Sequence, residues 1–201
     1  MTQSVALTRP RPLVLADLVP GTLARDVALV AGGAGLIGVL AQIAVHIPGT
    51  PVPITGQTLG VLLVGTAFGM RRAAATIALY AVAGVLGVPW FSDHSSGYST
   101  ASFGYIVGFL AAATLCGWLA ERGADRSVWR AVPAMLAGEV LIYGIGMAWL
   151  AVAADLTLSQ TISQGLTPFL LGDAIKAALA AGLLPAVWKL SRSSGASSAS
   201  R

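Results

Sequence analysis

Six long apolar stretches dominate the sequence and restrict the folds that it can adopt. They cover residues 26–46, 55–70, 72–89, 103–120, 132–154 and 166–190. A membrane-spanning helix needs about 20 mostly apolar residues, so the second and third stretches predict two short or tilted spans, with a re-entrant pair as the alternative. Charged residues make up only 10% of the chain, whereas soluble domains contain about 25%. We therefore expect an all-α integral membrane protein, a six-helix bundle in a lipid bilayer.

The basic residues predict the orientation of this bundle. Connections 47–54, 90–102 and 155–165 contain no lysine or arginine, and the twelfth basic residue, Lys176, lies inside the sixth stretch. The other eleven precede the first stretch or follow the second, fourth and sixth: Arg9, Arg11, Arg25, Arg71, Arg72, Arg122, Arg126, Arg130, Lys189, Arg192 and Arg201. By the positive-inside rule both termini are cytoplasmic. We divide the chain into a cytoplasmic N-terminal segment (1–23), one transmembrane domain (24–190) and a disordered Ser/Gly/Ala-rich tail (191–201).

Two charges interrupt the sixth stretch. Asp173 and Lys176 are three residues apart, so they project from nearly the same face of a helix. Charges in hydrocarbon are costly and normally face a cavity or each other. The pair is therefore a candidate ligand site, and a buried salt bridge that fixes helix packing is the alternative. Glu139 is expected deeper in the bundle, about 10 Å from Asp173 along the membrane normal, where an arginine of the inner surface is its expected partner.

Small residues recur along one face of the first span. Their spacing of four, three, four and three residues keeps them on one helix face, where another backbone can approach closely. They either pack inside the bundle or form a partner interface: Ala24, Ala28, Ala31, Gly35 and Gly38. In the fourth span, Gly104, Gly108 and Ala112 repeat this pattern, and there we expect packing inside the bundle.

Several classes of function lack their motifs in this sequence. A Gly-x-x-x-x-Gly-Lys-Ser/Thr phosphate loop is absent, as are common hydrolase motifs. His46 and His94 have no ligand-spaced partner, so we expect no metal and no cofactor. The basic residues form no patch with stacked aromatics, so the net charge of +4 does not indicate nucleic-acid binding. A binding protein without catalysis is favoured over an intramembrane enzyme or a purely structural subunit.

Three stretches resemble the BioY family, the biotin-binding S components of energy-coupling factor vitamin transporters. They are Pro51-Val-Pro-Ile-Thr-Gly-Gln-Thr-Leu-Gly-Val61, Gly87-Val-Pro-Trp-Phe91 and Pro168-Phe-Leu-Leu-Gly-Asp-Ala-Ile-Lys176. The resemblance covers about residues 24–188 and implies a six-helix protein of the bacterial cytoplasmic membrane that captures biotin from outside. It also implies a transmembrane coupling subunit and two ATPase subunits as partners. A sister S component for another vitamin is the main alternative.

The resemblance also implies which residues bind the ligand. Asp173 and Lys176 match the family's contacts to the ureido ring of biotin, and Trp90 matches an aromatic wall of the pocket. Phe91 adds apolar surface for the thioether ring and valeryl chain, while the biotin carboxylate needs donors, for which the candidates are Thr55, Gln57 and Thr58 or backbone N–H groups of the outer loops. Ser95 falls where the family often has an amide, and Ala101-Ser-Phe-Gly-Tyr105 replaces a more glycine-rich run.

Overall fold

Seven α-helices account for most of the chain in this computed structural model, which describes residues 13–21 and 23–198, with side chains described as far as Ser191. The helices are α1 (Leu23–Ala41), α2 (Gln57–Phe68), α3 (Met70–Val85), α4 (Phe103–Glu121), α5 (Val128–Ala153), α6 (Leu158–Gly165) and α7 (Leu170–Ser198). Two strands, β1 (Ala44–Val45) and β2 (Ile54–Thr55), pair antiparallel between α1 and α2. Three 3₁₀ turns cover Leu15–Leu18, Ser92–His94 and Ala124–Arg126.

Four of these helices are long and apolar enough to cross a membrane: α1, α4, α5 and α7 as far as Ser191. The mostly helical membrane fold predicted from the sequence is therefore confirmed. The second and third apolar stretches form the shorter helices α2 and α3. The turn between them is at Gly69, whose φ of 81° is readily adopted by glycine, and Arg71 and Arg72 lie in the first turn of α3.

The last third of the chain differs from the sequence expectation in two places. The connection 155–165 contains helix α6, which begins with a capping box. Thr157 Oγ1 accepts from the Gln160 backbone, and Gln160 Oε1 accepts from the Thr157 backbone. Helix α7 starts after Pro168 and continues to Ser198, within the segment that we expected to be a disordered tail. Residues 1–12 and 199–201, which include Arg9, Arg11 and Arg201, lie outside the described residues.

Side-chain contacts bring the basic connections to one end of the bundle. Arg72 on α3 donates to Asp17 at 2.8 Å and its Nε lies 3.0 Å from Asp26 on α1. Arg126, after α4, donates to the Leu13 carbonyl and lies over the ring of Trp188 on α7. The start of α1, the α2–α3 turn, the α4–α5 connection and the end of α7 therefore share one end.

The pKa of Asp17 reflects this clustering. Partial burial acts to raise it, but the hydrogen bond from Arg72 and those from the Val14 and Leu13 backbone lower it below its ordinary value. A carboxyl whose pKa is depressed by folding stabilises the fold at neutral pH and loses this contribution as the pH falls towards the folded-state pKa. The N-terminal turn is thus attached to the bundle most firmly above the acidic range.

Helix α4 lies at the centre and packs against α2, α3 and α5. Its small residues permit close approach: a Cβ at Gly108 would lie 2.9 Å from the Ile142 backbone on α5, and Ala112 is fully buried. Ala112, Gly104 and Gly108 therefore pack inside the bundle, as predicted. The core has an apolar cluster around Ile106 and Phe109 and a second around Met135 and Ala180.

Gly117 provides a test of this packing. A Cβ there would lie 2.6 Å from the Gly69 carbonyl carbon and the Met70 nitrogen, which are backbone atoms that cannot rotate away. We expect Gly117→Ala to cost about 1–3 kcal/mol of stability, measured as a lower thermal unfolding midpoint in detergent. Gly144→Ala on α5 is the matched control, since nothing lies within 4 Å of a Cβ there. Equal midpoints for the two variants would contradict the α3–α4 contact.

The small-residue row on α1 does not have one uniform environment. Ala24, Ala28 and Ala31 are exposed, and a Cβ at Gly35 would meet no atom within 4 Å. A Cβ at Gly38, by contrast, would lie 3.2 Å from Trp90 Cβ, so this last member packs inside the protein. The exposed part of the row, Ala24 to Gly35, stays a candidate partner interface.

Candidate functional site

A mostly apolar pocket with a charged centre lies at the end of the bundle opposite the basic connections. Strand β2 and the first turn of α2 form one wall, the loop before Ser92 and the start of α4 form another, and α5 and α7 complete it. Its lining is Val52, Pro53, Thr55, Gln57, Thr58, Phe91, Ser92, Ser102, Tyr105, Ile106, Phe109, Ile142, Tyr143, Phe169, Asp173 and Lys176. Six of the eight residues predicted to bind a ligand are among them: Thr55, Gln57, Thr58, Phe91, Asp173 and Lys176.

Asp173 and Lys176 form the charged centre of this pocket. Lys176 Nζ lies 2.7 Å from Asp173 Oδ1, and the Asp173 residue is 5% exposed. The ammonium also donates to the Thr55 carbonyl at 2.6 Å and to Thr58 Oγ1 at 3.0 Å. An ammonium has three N–H donors, so all three have acceptors. Thr58 Oγ1 itself donates to Asp173 Oδ1 at 2.9 Å.

Tyr143 on α5 is a residue that the sequence analysis missed. Its hydroxyl donates to Asp173 Oδ2, so both oxygens of the carboxylate accept hydrogen bonds. Tyr105 on α4 lies edge-on to Tyr143, and its hydroxyl donates to the Gly165 carbonyl at 2.7 Å. Tyr143 follows Glu139 by one helical turn, so a polar face on the fifth stretch was the available signal.

Trp90 does not line the pocket. Its indole N–H donates to the Tyr80 carbonyl at 2.9 Å, and its ring lies 5.2 Å from that of Tyr80. The Tyr80 hydroxyl in turn accepts from Gln57 Nε2 at 2.7 Å. Trp90 therefore supports Gln57 through Tyr80, whereas Phe91, the next residue, faces the pocket with 2% exposure.

Ser95 also lies outside the lining, because its hydroxyl donates to the Ser92 carbonyl at 2.7 Å and closes a local turn. Ser92 lines the pocket in its place. Gln42 at the end of α1 holds this loop: its Nε2 donates to the Phe91 carbonyl at 3.1 Å, and its Oε1 accepts from the His94 backbone. The loop is thus positioned by hydrogen bonds from α1 that the sequence pattern did not predict.

The arginine partner predicted for Glu139 is wrong for the described part of the chain. Glu139 is 6% exposed, and neither of its carboxylate oxygens has a hydrogen-bond partner among the described residues. The charges of Asp173 and Lys176 are close enough to act on it. Residues 13–21 and 23–198 contain no group of three or more His, Cys, Asp or Glu side chains that could hold a metal ion.

The pocket has adjacent acceptors and donors on a mostly apolar wall. A carboxylate and an ammonium side by side suit a ligand that presents N–H donors beside a carbonyl, and such charge-assisted hydrogen bonds are strong. The centre of a water molecule can occupy ≈ 40 Å³ of this pocket. A single water needs about 10–15 Å³ of such space. A ligand larger than a few waters therefore has to displace side chains or the loop around Phe91.

The fold defines the class of protein. It matches the 2.1 Å crystal structure of the S component for biotin from an ECF-type ABC transporter with a TM-score of 0.75, covering 85% of this chain and 95% of that one at 22% identity. The chain thus has the fold of an energy-coupling factor S component.

The sequence comparison identifies the family. The chain belongs to the BioY family, which it matches over residues 7–193. It is 36% identical over 154 residues to Biotin transporter BioY2 of Lactococcus lactis subsp. cremoris, covering 75% of this chain and 83% of that protein. It is also 34% identical over 147 residues to Biotin transporter BioY of Rhizobium etli, covering 68% and 78% of the two chains. The resemblance noted in the sequence is confirmed.

Proposed function

We propose that this chain is the biotin-binding S component of an energy-coupling factor transporter in the bacterial cytoplasmic membrane. It captures biotin from outside, and a transmembrane coupling subunit with two ATPase subunits supplies the energy for uptake. The observation that carries this proposal is the Asp173–Lys176 pair, with its carboxylate buried, in a mostly apolar pocket of a BioY-family chain. The names of the two relatives above support biotin as the ligand.

The chemistry of the pocket suits the ureido ring. That ring presents two N–H donors, which a carboxylate accepts, and a carbonyl, to which an ammonium donates. Asp173 already accepts hydrogen bonds from Thr58 and Tyr143, and Lys176 already donates to Thr58 and to the Thr55 carbonyl. Bound biotin therefore replaces some of these internal hydrogen bonds. Its N–H groups compete with the Tyr143 hydroxyl for Asp173, and its carbonyl replaces one acceptor of Lys176.

The position of the Asp173–Lys176 pair indicates which residues contact the rest of the ligand. The apolar rings of Phe91 and Phe169 are the candidates to cover the thioether ring and the valeryl chain. Thr55 and Gln57, at the outer start of α2, remain the candidates for the biotin carboxylate, together with backbone N–H groups. We assign Trp90 and Ser95 an indirect role, because both hold the loop that carries Phe91 and Ser92.

Equilibrium binding of labelled biotin to the purified protein in detergent tests this function. We expect saturable binding that unlabelled biotin displaces and that thiamine and riboflavin do not. Binding of another labelled vitamin, with no binding of labelled biotin, would identify a sister S component. Absence of binding by folded protein to every vitamin would reject the assignment as an S component.

We further propose six spans, with α2 and α3 as the short ones, and both termini in the cytoplasm. The clustering of the start of α1, the α2–α3 turn and the α4–α5 connection at the basic end supports this topology. Single cysteines at Ser96 and Ser127 in a Cys116→Ala background are expected to react oppositely with a membrane-impermeant thiol reagent in intact cells. Only the Ser96 position should be labelled from outside. Labelling of both positions would contradict the six-span topology.

A further inference from the structure

Glu139 has a buried carboxyl group that takes no part in the biotin binding proposed above. It lies near the middle of α5 and is 6% exposed. Neither Oε1 nor Oε2 has a hydrogen-bond partner in the described chain. An ionised carboxylate without a partner in an apolar interior is far more costly than the neutral acid. In this arrangement Glu139 therefore carries a proton.

The helix register places the backbone of Glu139 near the level of the backbone of Lys176. Helices α5 and α7 run in opposite directions, and the Tyr143–Asp173 hydrogen bond sets their relative height. At about 1.5 Å per residue, Glu139 lies about 6 Å below Tyr143, towards the basic end, and Lys176 about 4.5 Å below Asp173. The backbone positions of Glu139 and Lys176 therefore differ in height along the bundle by only about 1.5 Å.

The surroundings of Glu139 are otherwise apolar. Its helix neighbours Met135 and Ile142 are buried, and Leu62 of α2 lies 3.2 Å from a Cβ built at the adjacent Gly138. The titratable and charged groups that act on it are Asp173 and Lys176 from α7, Cys116 from α4 and Tyr143 from its own helix. Lys176 is the one cation among these groups, so it is the natural counter-ion for an ionised Glu139.

A metal cation is a less suitable occupant than a proton. Monovalent and divalent metal ions need several oxygen ligands, and the described residues offer no cluster of three acidic, His or Cys side chains here. A single carboxyl group between apolar residues can bind a proton without any further ligand.

We infer that Glu139 is a proton-binding site coupled to the ligand pocket through Lys176. With the proton bound, the Lys176 ammonium keeps its hydrogen bonds to Asp173, Thr58 and the Thr55 carbonyl, at the floor of the pocket. Loss of the proton to water leaves a carboxylate at the same depth, which competes with Asp173 for the ammonium and draws it below the pocket. Biotin affinity then falls with the loss of the proton, a consequence that rests on the proposed function.

The first experiment measures biotin affinity against pH for the wild type and Glu139→Gln, which keeps a neutral side chain of the same size. We expect the wild-type affinity to fall about tenfold or more between about pH 6 and about pH 9, and that of Glu139→Gln to change much less. Any remaining change comes from groups that both proteins retain. Glu121→Gln is the matched control, since Glu121 lies at the basic end and accepts a hydrogen bond from the Met70 backbone. Its biotin affinity should depend on pH as that of the wild type does.

The second experiment detects the proton directly and needs no ligand. Infrared spectra of the detergent-solubilised protein should contain a carboxylic-acid C=O band that is lost in Glu139→Gln, shifted in Glu139→Asp and retained in Glu121→Gln. The band should disappear as the wild type is made alkaline. Identical bands in the wild type and Glu139→Gln, or identical pH profiles of affinity, would overturn the inference. A wild type that binds no biotin at any pH rejects the proposed function, while the infrared band still decides whether Glu139 holds a proton.

Discussion

Asp173→Ala is expected to weaken biotin binding by about tenfold to about 150-fold or more, which corresponds to ~1.5–3 kcal/mol for a lost charged hydrogen-bond partner. The change removes the acceptor proposed for the ureido N–H groups. It also leaves Lys176 without its counter-ion and the Tyr143 hydroxyl without its acceptor. Because an unpaired buried charge also destabilises the fold, thermal unfolding has to be measured alongside equilibrium binding in detergent.

Two further variants separate ligand binding from structure. The double change Asp173→Asn, Lys176→Gln removes both charges at nearly constant volume, and we expect a folded protein with greatly reduced biotin affinity. Asp155→Asn is the matched control, since Asp155 is an exposed carboxylate just beyond α5, and its affinity should equal that of the wild type. A folded double variant with wild-type affinity would make the pair purely structural and remove the proposed site.

Ala28→Trp and Ala31→Trp on α1 are expected to abolish ATP-dependent biotin uptake and co-purification with a coupling subunit, while biotin binding by the isolated protein is kept. The chain has no phosphate loop, so concentrative uptake needs another subunit and a surface to contact it. Both alanines are exposed, and a helix can approach them closely only while their side chains stay small.

The control for this experiment lies on the same helix. Leu36 is 46% exposed and, at about 100° per residue, it projects about a third of a turn away from the row. Leu36→Trp should keep both binding and uptake. Loss of binding together with uptake in Ala28→Trp or Ala31→Trp would mean that this part of the row packs the protein's own core. Concentrative uptake by the wild type without ATPase partners would contradict the need for them.

The small-residue row illustrates the limits of a sequence pattern. Spacing predicts that five small residues share a helix face, because that follows from the helix repeat alone. Whether another helix, lipid or a loop covers that face depends on the packing of other elements. Gly38 lies under Trp90, which arrives from a loop about fifty residues later in the chain, whereas Gly35 has open space around it.

The aromatic and carboxylate predictions show the same division. Trp90 and Phe91 are neighbours in sequence, yet only Phe91 faces the pocket, because hydrogen bonds from Trp90 to Tyr80 and from Gln42 to the Phe91 carbonyl set the direction of the loop. Glu139 was expected to meet an arginine, since a buried charge needs a partner. The alternative of a proton in place of an ion pair becomes evident only from the two unpartnered oxygens.

The sequence by itself determined the membrane class, the apolar helices, the expected sidedness and the Asp173–Lys176 pair. These features depend on local properties: hydrophobicity over about 20 residues, charge in the connections and a spacing of three residues on a helix. The tertiary structure decided that Tyr143 completes the carboxylate's hydrogen bonds and that Glu139 has no hydrogen-bond partner in the described part of the chain. Those features depend on the relative height and rotation of α5 and α7, which long-range packing sets and no local pattern encodes.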